Sequence, residues 1–374
     1  MRRDRDLIAA LGGSTEVGLV RAPGRVNLIG DHTDYNEGFV LPLAIDRECT
    51  AAWRRRDDGR ARVRSFDADA AVTVAADGSD DPGTVEEPWG RLVAGIVRIL
   101  AERGRPPIGF EIALTSTVPL GSGLSSSAAF EVAIAWAAVD AARGFELDRR
   151  ELARVCRDAE QRATGVPCGL MDQLASLFGQ RDHALLIDCR TLSTSPVPLP
   201  AIVSVLVVHT GVARALAASA YAERRAACEA AAVRLRVPAL RDAHPGDVAD
   251  DRWARHVVSE NQRVLDAVAA LRGGDLEKLG AIMLASHASL RDDFEVSTRE
   301  LDLLVELLME EGAIGARLTG GGFGGCVVGL VGGDRIGAVA AQTAARYRQV
   351  TGLDPTAFAV RAVDGARGLA PGAA

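Results

Sequence analysis

Lysine is almost missing from this chain. Lys278, in the helical-looking stretch LEKLG, is the only one, and every other base is arginine. Two routes to holding a nucleotide's phosphates are thereby excluded. The P-loop needs G-x-x-x-x-G-K-[ST], and a protein kinase needs a lysine on a strand beside its glycine loop. Schiff-base chemistry also loses nearly all its candidates. The six cysteines (Cys49, Cys156, Cys168, Cys189, Cys228, Cys326) are far apart, with no C-x-x-C pair, and there is no H-E-x-x-H. They read as buried thiols in a reducing compartment. Long apolar runs are missing too. The most apolar stretch, Phe130 to Ala142, carries Glu131 and Asp140 and is too short to span a bilayer. The opening MRRDRDLIAALGG lacks the apolar core of a signal peptide, so the expected location is the cytoplasm. Acids outnumber bases 50 to 43, a formal charge of −7. A broad nucleic-acid or membrane surface is not expected of such a chain.

What is present is a globular composition: 374 residues, 48% hydrophobic and 25% charged. Single cores stop growing near about 250–300 residues, so two domains are expected. Short runs divided by Gly, Pro, Asn and Asp read as strands at 19–22, 39–45, 50–54, 62–66 and 108–114. Helical spacing follows at 89–103, 126–143 and 149–164, then strands at 183–189 and 202–209. The proline-rich stretch 191–200 between those strands suggests the domain boundary, giving domains of 1–195 and 196–374. Beyond it, helices are expected at 214–233, 253–272, 276–292, 298–312 and 336–351, and strands at 326–331 and 356–363, with a loose tail from 368. Helices and strands mix without regular βαβ alternation, so the fold class is α+β.

Three glycine-bearing segments carry chemistry. In RAPGRVNLIGDHTDYNEGFVLPLAID (21–46), Arg25, Asn27, Asp31, His32, Asp34, Tyr35 and Asn36 crowd a strand-to-strand connection. Acids and amides at that density suit a ligand with many hydroxyls better than a hairpin turn. In VPLGSGLSSSAAF (118–130), Gly121 and Gly123 permit close approach of an anion. Ser125, Ser126 and Ser127 then bring donors to a helix N-terminus. N-capping needs one serine; three after G-x-G fit a phosphate cradle. The third, LTGGGFGG (318–325), contains a formal G-x-G-x-x-G, but a strand follows it where a dinucleotide fold needs a helix. Its glycines read as a loop that approaches another loop or a ligand. Between the second and third segments, Glu160 ends one helix and Asp172 falls in the first turn of the next. Asp172 is either a partner of the helix dipole or faces a reacting hydroxyl, with Glu160 toward a cation.

GRVNLIGDHTDYNEGFVLPLA resembles the signature of the galactokinase family. PLGSGLSSSAA resembles the phosphate loop of the wider GHMP small-molecule kinases, and PCGLMDQ and LTGGGFGGC resemble later motifs. Order and spacing agree from about Arg21 to Val360, and ARALAASAYAERRAACE (213–229) resembles the family's sugar-contacting tyrosine segment. The resemblance implies an N-terminal domain like ribosomal protein S5 domain 2 and a C-terminal ferredoxin-like domain, with the site between them. It implies ATP-dependent phosphorylation of the anomeric hydroxyl of galactose. Asp172 takes the place of the proposed base and Arg25 that of the residue orienting it. Asp31, His32, Thr33, Asp34, Gly169 and Tyr221 match the sugar contacts. Gly121, Ser122, Gly123, Leu124, Ser125, Ser126 and Ser127 match the phosphate loop, and Ser127 and Glu160 the Mg2+ ligands. The implied partners are a sugar and ATP, and the implied state a monomer or weak homodimer. Two other readings stand beside this one. Related machinery acts on N-acetylgalactosamine, galacturonate or arabinose. A non-catalytic galactose and ATP sensor resembles the chain as well, but lacks the Ser-Ala pair present here as Ser127-Ala128. One departure is plain: Asp31 stands where the signature has glutamate.

Overall fold

The computed structural model describes residues 2–13, 16–212 and 217–369. Helix α1 (Arg2–Ala10) precedes strands β1 (Gly18–Asn27), β2 (Phe39–Val40), β3 (Pro42–Arg56), β4 (Arg60–Ser65) and β5 (Ala70–Ala75). Then come α2 (Pro88–Glu102), β6 (Gly109–Ser116), α3 (Ser126–Ala141), α4 (Arg149–Thr164) and α5 (Met171–Phe178). Strands β7 (His183–Asp188), β8 (Ser193–Pro198) and β9 (Val203–His209) lead to α6 (Ala217–Leu235), α7 (Arg252–Gly273), α8 (Leu276–Asp292) and α9 (Arg299–Glu310). The chain closes with β10 (Gly315–Thr319), β11 (Cys326–Gly332), α10 (Ile336–Thr351), β12 (Thr356–Val360) and β13 (Arg367–Leu369).

A six-stranded sheet has the order β13-β1-β3-β6-β4-β5, in which only β4 and β6 run parallel. A small sheet, β2-β7-β8, flanks it. The second large sheet is β10-β11-β9-β12, all antiparallel. Taken in chain order, its strands and covering helices make a βαββαβ unit with spatial order 4-1-3-2, the ferredoxin-like arrangement expected above. Its two faces serve different cores. Leu206, Val208, Val327 and Val331 pack with α9 and Tyr347. Val205, Val207, Val328 and Leu330 face the larger core that also buries β1, β3 and α3. Alternation along a strand puts neighbours on opposite faces, and each fully buried Val or Leu is worth about 1.5–3 kcal/mol. The C-terminal sheet is thus fastened to the N-terminal half by its own reverse face.

Helix ends follow local chemistry. Asp148, Asp251, Asp275 and Thr298 cap α4, α7, α8 and α9 through side-chain oxygens, and Gly165 and Gly274 close α4 and α7 in left-handed conformation. The proline-rich stretch 191–200 is not all connector. Ser193–Pro198 pairs with β7, so the chain crosses to the second sheet between Pro198 and Val203. β8 is an edge strand, where a missing N–H is tolerated. Residues 214–216 of the helix expected at 214–233, and residues 370–374 of the tail, lie outside the described residues; the described part of that helix is α6, and Gly368 and Leu369, expected to be loose, instead pair with Val20 and Leu19 as part of β13. Among the described residues no helix is long and apolar enough to cross a membrane, and no disulfide forms.

Candidate active site

The two halves meet around a cavity of about 320 Å³. Its walls come from the end of β1 and the loop after it, the N-termini of α3 and α5, the end of α4, Tyr221 of α6, and the glycine loop between β10 and β11.

At its centre is Arg25, with a side chain only 6% exposed. Its Nε and Nη2 donate to the two carboxylate oxygens of Asp172 at 2.7 and 2.8 Å, and its Nη1 donates to the Gly123 carbonyl. This fork-to-fork pair is charge-assisted and fixes both planes. Asp172 also accepts from the Ser125 hydroxyl, yet remains 30% exposed, open to the cavity. Ser125 has φ 58° and makes no capping bond to α3, because its hydroxyl is spent on Asp172. Ser126 and Ser127 also line the cavity, at a helix start whose dipole favours an anion.

Behind the serines lie two acids, Glu131 fully buried and Glu160 half-buried at the cavity wall. The Gln173 amide donates from Nε2 to Glu160 and to Glu131, both at 3.1 Å, and the Ser127 side chain lies near enough to Glu160 to favour its charged form. Burial raises the pKa of both acids, and the charge of Glu160 adds to the rise at Glu131. Among the described residues no basic side chain forms an ion pair with either, and Glu131 Oε1 has no partner. Nor, among them, do three or more His, Cys, Asp or Glu side chains converge as a metal site.

The opposite wall is the loop after β1. Burial, and then the charge of Asp172, push the Asp34 carboxyl up to about 6. His32, with φ 67°, bonds the Tyr35 hydroxyl (2.9 Å) and the Gly321 carbonyl (3.3 Å) through its ring nitrogens. Burial, then the neighbouring His256, press its pKa down to about 3, so the ring is neutral. Tyr221 and Phe294 pack against it, with centroids 5.4 and 4.6 Å away. Gly169 leaves no room for a side chain while Asp34 keeps its place: a Cβ there would lie 1.8 Å from Asp34 Oδ2.

Most of the residues singled out in the sequence therefore share one cavity: Arg25, Asp31, His32, Asp34, Gly121, Gly123, Ser125 to Ser127, Glu160, Gly169, Asp172 and Tyr221. Of the residues matched to sugar contacts and the phosphate loop, three turn elsewhere. Thr33 is buried, its hydroxyl directed at the Gly30 and Phe39 carbonyls, so it braces the loop. Ser122 donates to the Pro119 carbonyl, and Leu124 enters the core while its carbonyl accepts from Arg25 N. Sequence reasoning missed the props under the sugar-signature loop. From α7, His256 contacts the Asp31 carbonyl, Glu260 accepts from Gly30 N, and Asn261 accepts from Phe39 N. Polar residues at 256, 260 and 261, among the apolar residues of the helix's buried face, were the available signal.

The galactose-binding signature of galactokinases matches residues 9–55, and the N- and C-terminal domains of GHMP kinases match 91–180 and 267–349. A galactokinase of Roseiflexus sp. (strain RS-1) is 43% identical over 93% of this chain and 92% of its own length. The chain belongs to the galactokinase family of GHMP kinases. A galactokinase of Chloroflexus aurantiacus is 46% identical over 89% of both chains. The crystal structure of Lactococcus lactis galactokinase complexed with galactose superposes with a TM-score of 0.91 at 32% identity, covering 98% of this chain and 99% of that one. A mevalonate kinase structure, 18% identical with a TM-score of 0.67 over 92% of this chain and 99% of its own, shares the fold. The chain is a sugar kinase, and this kinase family uses ATP.

Proposed function

We propose that the protein transfers the terminal phosphoryl group of ATP to the anomeric hydroxyl of α-D-galactose, giving galactose 1-phosphate and ADP in galactose catabolism in the cytoplasm. The observation that carries this reading is the Arg25–Asp172–Ser125 constellation, which joins a carboxylate open to the cavity to the glycine-serine loop of a helix N-terminus. Phosphoryl transfer is mostly positioning and charge neutralisation, and this site supplies both.

Asp172 holds the attacking hydroxyl and receives its proton at a carboxylate oxygen. Arg25 fixes that carboxylate and opposes the charge that develops on transfer. Gly121 to Ser127 present backbone and hydroxyl donors to the phosphates. Asp31, Asp34, His32 and Tyr221 hold the sugar, the two acids accepting from its hydroxyls. Ser127 and Glu160 would hold Mg2+, which supplies charge neutralisation on the phosphates when bound. The donor set fits: one hydroxyl and one carboxylate suffice for an ion that keeps several waters. The Glu131–Glu160 pair, buried at Glu131, open to the cavity at Glu160 and lacking a basic partner among the described residues, suits a cation nearby.

A coupled ADP-release assay over a panel of free sugars tests the reading. Galactose is expected to give the highest kcat/KM. A tenfold preference for N-acetylgalactosamine, galacturonate or arabinose would replace the substrate, and binding of galactose and ATP without ADP release would make the protein a sensor.

A further inference from the structure

Among the described residues, Arg317 is the largest side chain with no exposure at all. It lies on β10 in the run GARLT, where every residue is buried. A lone guanidinium there costs several kcal/mol unless its donors are met. Its two Nη groups leave the C-terminal sheet and cross to the sugar-signature loop, while the buried Nε has no partner. Nη1 reaches the Leu28 carbonyl at 3.2 Å, and Nη2 reaches Asp31 Oδ2 at 2.6 Å. The other carboxylate oxygen, Asp31 Oδ1, accepts from Gly320 N at 3.1 Å. Each oxygen of Asp31 therefore takes one bond from β10 or the glycine loop after it, leaving a lone pair on each, since a carboxylate has about four acceptor sites. Asp31 lines the cavity beside His32 and Asp34.

We propose that Arg317 is a positioning residue for sugar recognition. Acting through Asp31, it holds a fixed, charged acceptor for a neutral sugar hydroxyl and so selects an uncharged hexose over a uronate. The inference rests on the sugar-kinase reading above and extends it to a residue that touches no substrate. It also accounts for aspartate where the signature has glutamate. An aspartate is shorter by about one C–C bond, roughly 1.5 Å. A short carboxylate reaches a hydroxyl only from a set place, and Arg317 and Gly320 set it. The glycine loop gains a role as well, because Gly320 brings its N–H against Asp31.

The charges around Asp31 identify Arg317 as the one that matters. Burial raises the proton affinity of Asp31, and Arg317 is the foremost opposing influence, ahead of Asn27 and Arg25 on β1. Asp34, in the same loop, adds negative charge. His32 beside it and His256 from α7 are neutral at ordinary pH, their pKa values pressed to about 3 and about 4. Without Arg317 the carboxyl of Asp31 stays protonated to higher pH. The loss of sugar affinity is then greatest on the acid side and shrinks as pH rises.

A double-mutant cycle on galactose affinity, measured by calorimetry with a non-hydrolysable ATP analogue, tests this. Arg317→Met is expected to weaken galactose at least about tenfold, as for a buried charge left unpaired, with analogue affinity changed less than twofold and the loss deepening toward acid pH. Asp31→Asn is expected to weaken galactose similarly without that acid-side deepening. Adding Arg317→Met to Asp31→Asn is expected to change little more. An equal cost of Arg317→Met in both backgrounds overturns the proposal, because Arg317 then acts only through its backbone bonds. So does a pH-independent loss. If Arg317→Met does not fold, Asp31→Asn decides, and unchanged galactose affinity refutes the idea. Wild-type protein that binds no galactose, or binds galacturonate more tightly, refutes it too. Wild-type protein that binds galactose but releases no ADP defeats the catalytic reading and leaves the cycle valid.

Discussion

Gly169→Ala separates the sugar subsite from the rest of the machinery. Gly169 precedes α5 outside the left-handed region, so the backbone accepts alanine, and the penalty is steric. The new Cβ would lie 1.8 Å from Asp34 Oδ2 and 2.4 Å from its Cγ. Ordinary contact with a Cβ begins near 3.4 Å, so the carboxylate must retreat by roughly 1.6 Å. The obstructing atoms are the tip of a side chain facing a polar cavity, so Asp34 rotates while the fold stays in place. A bond of about 2.7–2.8 Å does not survive such a shift. A hydrogen bond to a charged group is worth about 1.5–3 kcal/mol, hence a loss of about 10–150-fold in kcat/KM for galactose. Steady-state kinetics in both substrates, with a thermal melt alongside, measure this. The galactose KM is expected to rise while the ATP KM and melting midpoint hold, and Gly169→Ala added to Asp34→Ala is expected to cost little more. A galactose KM within twofold of wild type would refute the reasoning, and so would equal losses for both substrates.

Asp172→Ala is expected to lower kcat by about 10²–10⁴-fold, the usual contribution of a positioned acid or base, with galactose and nucleotide still bound; loss of less than tenfold counts against its role. Glu160→Gln keeps shape but not charge, so the Mg2+ concentration for half-maximal rate rises while galactose affinity holds, and an unchanged Mg2+ titration returns Glu160 to a structural part. With the Asp34 carboxyl raised to about 6 by burial and then by Asp172, it takes up a proton as pH falls through that value. The log of kcat/KM for galactose should therefore bend downward below about pH 6, and Asp34→Asn should remove that bend. A pH profile flat from 5 to 8 contradicts this assignment.

Much of the site was legible because its chemistry is local. Gly121 to Ser127 lie within seven consecutive residues running into α3, so spacing alone exposes an anion cradle. Glu160 and Asp172 stand at the end of one helix and the start of the next, positions set by Gly165, Pro167 and Gly169 nearby. The long helices were legible for the same reason, since capping and 3.6-residue periodicity act over neighbouring residues. Strands β5 and β8 were not, because short edge strands exist only through pairing with distant partners, and β8 holds prolines that read as a linker. Sequence likewise left Thr33, Ser122 and Leu124 indistinguishable from their cavity-lining neighbours. Which way each side chain turns depends on where the loop folds back, as when Thr33 Oγ1 finds the Phe39 carbonyl. The pairings that shape the pocket join residues far apart in the chain. Arg25 meets Asp172 across 147 residues, and Arg317 meets Asp31 across 286. Local propensity carries no record of such contacts. Arg25 meets Asp172 because α5 packs against β1, and Arg317 meets Asp31 because the reverse face of the C-terminal sheet is buried against the N-terminal core.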